Sequence, residues 1–450
     1  MIGAPFEGLP VPGRTRSLDA REGTRVTEAA ARTVRPVPSR RPPARPSLSS
    51  LRPGLRPARP EDVDRSVRRR IALAWGLLFL NTLTYVSGLA LIPLPSSLGK
   101  ACAQGSLPLA VLVLLSVNRR VAIRPNTFLC LMSLLVLDTL VTGVLPMQLG
   151  TLYRTVRLVA YVGALWLSTP WWGRADLLVL RWHLRFLHLA VASALVGLVI
   201  SPGAAFAFDG RLTGVIWPMF PTQLAQYAAL VIGLSVLLWL GRLGSGRGAA
   251  LGAALGLPTL YLCHTRTAFL GLVAGLVVAG ASMAANNSRV RRFFLATSVV
   301  VAMGALVASA AVAQWLTRGQ SAEGLTTLTG RTNFWTLVLD EPRTPFEMTF
   351  GFGLSNASVN GLPIDSNWLA AYQQEGVVGV VVCAAVLVAL LVGAVLQPPG
   401  LRRALLLFVV TYCAIASATE DAFTNASTYL LDLAAAASLM VVVRNREGGT

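Results

Sequence analysis

The chain has 450 residues, 54% of them hydrophobic and 13% charged, with a mean hydropathy of +0.61 and a formal net charge of +19. A soluble protein this apolar would expose large adhesive patches. Repeated apolar runs of about 20 residues, separated by short basic loops, fit a bundle that spans a bilayer. The pI of about 11.1 suggests nucleic acid at first sight. The basic residues follow the loops, so membrane topology explains them and nucleic acid is excluded as a partner.

Residues 1–70 hold sixteen arginines against seven acidic residues and are punctuated by prolines from Pro36 to Pro60. Such a segment cannot bury a core and reads as a disordered, basic tail. It lacks the short apolar stretch of a cleaved signal peptide. Contact with anionic lipid is one use for the tail; simple enforcement of orientation is the plainer one.

Twelve spans are expected in the transmembrane region 71–450, at 71–92, 102–117, 126–145, 151–168, 184–201, 222–241, 249–263, 267–285, 293–314, 376–396, 404–418 and 424–443. With the tail in the cytoplasm, alternate loops and the C-terminus carry fifteen basic residues, and the opposite side carries six: Lys100, Arg211, Arg266, Arg318, Arg331 and Arg343. That bias supports cytoplasmic termini and an all-α, multi-pass protein of the bacterial cytoplasmic membrane. The five cysteines, Cys102, Cys130, Cys263, Cys383 and Cys413, show no CxxC spacing and read as small buried hydrophobes. Two external loops are long, 202–221 and 315–375, and long loops on a rigid bundle are where function is usually carried. No internal repeat is visible, which disfavours a transporter built of repeated halves.

External arginines defy the charge rule and so need a reason. Arg266 follows His264 at the junction of two spans, Arg331 opens Gly330-Arg331-Thr332-Asn333-Phe334-Trp335, and Arg211 lies in Gly210-Arg211-Leu212-Thr213-Gly214. Each alone reads equally well as a snorkelling anchor. Together on one face they suit a phosphate or diphosphate, because the guanidinium fork stays charged and donates in pairs. His264 is read first as a packed or capping residue, and second as a base.

Arg154 and Arg157 share a face of the fourth span, with Asp138 and Asp432 as possible partners. A structural ion pair and a substrate path both remain open. The long loop ends in Asp365-Ser366-Asn367-Trp368, running on to Glu375-Gly376. Asp365 can N-cap a short interfacial helix that leaves Asn367 polar and sets Trp368 at headgroup depth. It can also take a proton from a hydroxyl nucleophile. Gly351-Phe352-Gly353 is a tight turn, too short for a phosphate loop, and Glu420 and Asp421 can face the same vestibule.

Four ordered segments between about 205 and 380 resemble the O-antigen ligase/polymerase family of bacterial membrane glycosyltransferases. They are Arg211–Gly214 with Pro221-Thr222-Gln223-Leu224-Ala225, Thr265-Arg266-Thr267-Ala268, Gly330-Arg331 through Trp335, and Gly351-Phe352-Gly353 with Asp365 through Gly376. Many ligases of that family carry His where this chain has Asp365, a weaker base at neutral pH, so a polysaccharide polymerase is preferred to a lipid A ligase. The resemblance implies metal-independent, inverting transfer from a polyprenyl-diphosphate-linked glycan to a glycan or lipid acceptor on the outer face of the membrane, in exopolysaccharide and cell-envelope biosynthesis. No cofactor is implied. Arg266 and Arg331 would bind diphosphate with help from Arg211, Asp365 would orient or deprotonate the acceptor, and Trp335 and Trp368 would stack on sugar or pack at the interface. The alternative is a transporter or flippase of a lipid-linked or anionic substrate, with Arg154, Arg157, Asp138 and Asp432 as its path.

Overall fold

A computed structural model describes residues 64–440 except 87–89, 92–94, 145–148, 286, 308, 310–330, 355–357, 360–361 and 421–422. At 96, 144, 305–306, 331–334, 358–359 and 362–363 it describes the backbone alone. The chain divides into two units, 1–62 and 63–450, and the described residues belong to the second. The expected tail up to residue 63 therefore lies outside the described residues.

The architecture is helical. In chain order the helices are α1 (Arg65–Thr82), α2 (Ser96–Val117), α3 (Thr127–Val144), α4 (Leu149–Ser168), α5 (Leu178–Ile200), α6 (Pro202–Ala205), α7 (Pro221–Leu240), α8 (Gly246–Leu262), α9 (Arg266–Ala284) and α10 (Ser288–Val307). After the long loop begins come α11 (Arg331–Leu339), α12 (Pro345–Phe350), α13 (Asn367–Leu396), α14 (Leu401–Ala416) and α15 (Thr428–Ala437). The strands among the described residues, β1 (Ser358–Val359) and β2 (Leu362–Pro363), form one short antiparallel pair. Each of the twelve expected stretches contains a helix. Among the described residues, five helices, α2, α5, α7, α9 and α13, are long and apolar enough to cross a membrane.

Three expectations need correction at the edges. Helix α1 begins at Arg65, inside the expected tail, because Asp64 caps it by accepting from the Ser66 amide at 3.2 Å and the Ser66 hydroxyl at 2.6 Å. It also stops at Thr82 rather than near 92. Beyond it, Val86 and Leu91 donate to the carbonyls of Pro218 and Val215 in the 202–221 loop. Finally, Cys102 and Cys130 are exposed, whereas Cys263, Cys383 and Cys413 are buried as expected. The two exposed cysteines share helices with exposed Leu112 and Leu137, outward apolar groups that a bilayer would cover.

Helix α7 is the hub. Sixteen of its twenty residues are buried, whereas the other long helices keep an exposed apolar side. It packs against α5, α8, α9 and α14. Close approach depends on small residues: the Phe408 ring of α14 lies where a Cβ on Gly233 of α7 or Gly275 of α9 would sit.

Cross-links sort the helix termini into two ends. At the basic end, Arg68 and Arg174 pair with Asp176, Arg402 donates to the carbonyls of Gly173 and Arg174, and Gly173 donates to Ser438. Arg185 and Arg289 lie 4.4 and 4.5 Å from the ring centres of Trp182 and Trp239. At the other end, the C-terminus of α1 meets the N-terminus of α7, where the Thr84 hydroxyl donates to Gln223 Oε1 at 2.5 Å.

That second end also holds a break in α13. Gly376 has φ 61° and ψ −156°, so the short helix 367–375 ends there and the long helix begins anew. The break leaves carbonyls of the first segment to be satisfied from outside. Arg343 Nη1 donates to Tyr372 O at 3.2 Å, Phe352 N to Gln373 O at 3.0 Å and Gly353 N to Gln374 O at 2.8 Å. A Cβ on Gly376 would lie 2.4 Å from the Thr349 carbonyl carbon, and one on Gly351 would lie 2.3 Å from that of Gln374. Gly376→Ala is accordingly expected to lower stability by about 2 kcal/mol or more through backbone strain and overlap. Gly163→Ala, where no atom lies within 4 Å of the added methyl, is expected to stay within about 1 kcal/mol of the parent. Thermal unfolding of the detergent-solubilised variants checks both.

Candidate functional site

The sequence Phe208-Asp209-Gly210-Arg211 makes a tight reversal, with Asp209 and Gly210 at φ 50° and 64° and the Arg211 amide donating to Phe208 O at 2.9 Å. This turn delivers Arg211 to the α8–α9 junction. Its Nε donates to Cys263 O at 2.9 Å and its Nη2 to Thr265 Oγ1 at 3.0 Å, while Leu212 N donates to Leu262 O. His264, at φ 49°, supplies the sharp reversal between the helices, and its ring lies 5.9 Å from that of Tyr261. Arg266 is the first residue of α9. A cation at a helix N-terminus opposes the helix dipole, but the arrangement favours an anion that meets both the guanidinium and the first-turn amides.

From this turn a chain of hydrogen bonds leads to the start of α13. The Thr419 hydroxyl donates to Thr267 Oγ1 at 2.9 Å, and two residues away Asn367 N donates to Ser417 O at 3.0 Å. Arg211, His264, Arg266, Asp365, Asn367 and Trp368 therefore belong to one end of the bundle. Arg331 begins α11, and its side chain lies outside the described residues. Trp335, one turn on, is half-buried, and its Nε1 has no hydrogen bond among the described residues. Helix α11 packs through Val338 onto Ile364, Leu369 and Ala370, beside Asp365.

The start of α13 departs from expectation in two ways. Ser366, not Asp365, holds the N-cap position, and half-buried Asp365 precedes it. The helix does not present its polar side to an interface either: Asn367, Gln374 and Glu375 are fully buried, and Trp368 packs against the main core. Loop groups supply partners for the side-chain oxygens of Asn367 and Gln374. Phe423 N donates to Asn367 Oδ1 at 2.7 Å, and Thr424 Oγ1 donates to Gln374 Oε1 at 3.2 Å. The Gly351–Gly353 turn is present, but the Phe352 and Gly353 amides are spent on carbonyls and do not form a phosphate cradle.

Arg343, counted among the external arginines, is a clamp. Its side chain is 2% exposed, bonds to Val338 O and Gln373 Oε1, and stacks 4.3 Å from the centre of the Tyr372 ring.

Two of the intramembrane charges, Arg157 and Asp432, take partners other than each other. Neither Asp138 nor Asp432 pairs with Arg154 or Arg157 among the described residues. Arg157 Nε donates to Asn81 Oδ1 at 3.1 Å, and its Nη2 to Asn81 O at 2.7 Å and Ala426 O at 3.1 Å. Asp432 accepts from His183 Nε2 at 2.7 Å and Gln226 Nε2 at 2.5 Å. The Trp75 indole can only donate, and it lies 3.3 Å from His183 Nδ1. That fixes the imidazole proton on Nε2 when the ring is neutral, directed at Asp432. Above this buried chain is a cavity of about 310 Å3 lined by Arg157, Asn81, Gln223, Gln226, Glu420 and Thr428, among others. Glu420 thus lines this cavity, whose lining includes neither Arg211, Arg266 nor Asp365, rather than the vestibule expected for it; Asp421 lies outside the described residues. Sequence reasoning missed Asn81, Gln226 and His183; polar residues inside apolar runs were the available signal.

A scan against models of protein families matches none for this chain, and a search of curated proteins finds no match. Removing one partner of a buried charge leaves it uncompensated, so His183→Phe is expected to cost about 3 kcal/mol of stability. A detergent melting curve identical to that of the parent would show that the Asp432 carboxylate does not depend on the imidazole.

Proposed function

We propose that the protein is a membrane glycosyltransferase that polymerises or transfers a polyprenyl-diphosphate-linked glycan on the outer face of a bacterial cytoplasmic membrane, with polymerisation preferred. The observation that supports it most is the docking of Arg211 onto the turn bearing Arg266, linked through Thr419 and Ser417 to the segment bearing Asp365 and Asn367. Segments far apart in sequence, each chosen for its anion-binding or proton-accepting chemistry, converge on one end of the bundle. In this reading the basic end faces the cytoplasm, twelve helices span the bilayer, and the lipid-linked donor reaches the site through the membrane.

The reaction needs no covalent intermediate. The acceptor hydroxyl attacks the anomeric carbon opposite the diphosphate, the bond from that carbon to the diphosphate oxygen breaks, and the configuration inverts. Asp365 takes the hydroxyl proton. Arg266 and Arg331, with the first-turn amides of α9, meet the charge that develops on the departing diphosphate. Arg211 spends two donors on the turn, so its role is to hold Arg266 in place as much as to bind.

A second reading has its own support: Arg157 lines a cavity above the buried His183–Asp432 pair, an arrangement suited to moving a lipid-linked or anionic substrate. Arg266→Ala and Arg331→Ala separate the two. The transferase reading expects each to lower polymer formation about a hundredfold or more at unchanged protein level in the membrane. Polymer of unchanged length and amount in both variants, together with proteoliposome flux lost in Arg157→Ala alone, would favour transport.

A further inference from the structure

The cavity between α1, α4, α7 and α15 is not lined by the residues expected to hold diphosphate, and its chemistry is of a different kind. Its volume of about 310 Å3 sits at the small end of the range for ligand sites, roughly 300 to 1,000 Å3. One cation lines it, Arg157, whose Nε and Nη2 are already spent on carbonyl-type oxygens of Asn81 and Ala426. Arg157 Nη1 makes no hydrogen bond among the described residues. The guanidinium is held in place, because buried Asn81 is itself anchored by donating to Ala103 O at 2.8 Å.

A carboxylate, Glu420, lines the same cavity. Arginine and glutamate leave the lining without net formal charge. A diphosphate would bring at least two negative charges against one arginine already opposed by three oxygens, and against a carboxylate. The amide of Gln223 is spent within the protein, donating to Thr82 O and the Tyr227 hydroxyl and accepting from Thr84, and Gln226 donates to Asp432 and accepts from Thr428. What the lining offers a ligand is the Arg157 Nη1 donor, the Thr222 hydroxyl, which both donates and accepts, and the rings of Phe220 and Tyr429; a few polar groups beside an apolar ring face match a ligand that carries hydroxyls.

We propose that this cavity is a subsite for an uncharged sugar unit, separate from the arginine turn at α8–α9. As the place where the acceptor end of a glycan is held, it rests on the glycosyl-transfer reading above; as a sugar site it does not. Thr222 is the position to fill, since it lines the cavity and its hydroxyl makes no hydrogen bond among the described residues.

The test uses the full-length protein in lipid nanodiscs and saturation-transfer NMR with the methyl glycosides of glucose, galactose, mannose and rhamnose. Inorganic pyrophosphate serves as the competitor. At least one glycoside is expected to bind saturably, and pyrophosphate is expected not to displace it. Thr222→Trp and Arg157→Gln are each expected to weaken it by roughly tenfold or more, the loss of contact area or of one charged hydrogen bond. The proposal is overturned if no glycoside saturates, if Thr222→Trp leaves the signal unchanged, or if pyrophosphate competes. Glycoside binding as expected, in a protein whose Arg266→Ala variant still makes full polymer, would remove the transferase reading and keep the sugar site.

Discussion

The break in α13 at Gly376 organises the end of the bundle where the candidate site lies. A helix that stops must find donors for its last carbonyls, and those of Tyr372, Gln373 and Gln374 are met by Arg343, Phe352 and Gly353. The same bonds tie residues 343–353 of the long loop to the bundle. The two backbones approach closely because Gly351 and Gly376 have no Cβ to separate them. Asp365 and Asn367 therefore stand at the head of a short, fixed helix rather than on a free loop. A group meant to accept a proton from a substrate needs that fixed position.

The interior obeys a second constraint of the same kind. Where water is scarce, each polar group needs a partner, and a charge needs one most. Asp432 is held between His183 and Gln226, and Arg157 between Asn81 and Ala426. Arg157 and Asp432 are thus kept apart, each with its own partners. A direct ion pair would have spent Arg157 on Asp432 and removed the cation from the cavity.

Much of the helical order was legible in the sequence. Apolar runs marked the helices, and the external arginines marked the turn that Arg211 and Arg266 share; the start of α1 was misplaced because its cap, Asp64, lies in a stretch whose arginines and prolines read as tail. Several residues departed from expectation because their partners are remote in the chain. Nothing near His183 names Asp432, 249 residues away. Likewise, the polarity of Asn367 and Gln374 suggested an exposed face, because the loop groups that bury them, Phe423 and Thr424, come some fifty residues later. The stretch after Thr82 looked like the end of a span because its apolar character is real; Val86 and Leu91 donate to the carbonyls of Pro218 and Val215 instead.

The central claim is that the arginine turn at α8–α9 and the start of α13 form one site, joined through the end of α14. Oxidative cross-linking in native membranes, on a cysteine-free background carrying Thr267→Cys and Thr419→Cys, tests it most directly. The hydroxyls of these two threonines lie 2.9 Å apart, so sulfurs in their place would need to close by only about 1 Å to reach the roughly 2 Å of a disulfide bond. The account predicts rapid, near-complete disulfide formation without loss of protein from the membrane. Two cysteines that each react with a maleimide yet never join would contradict it.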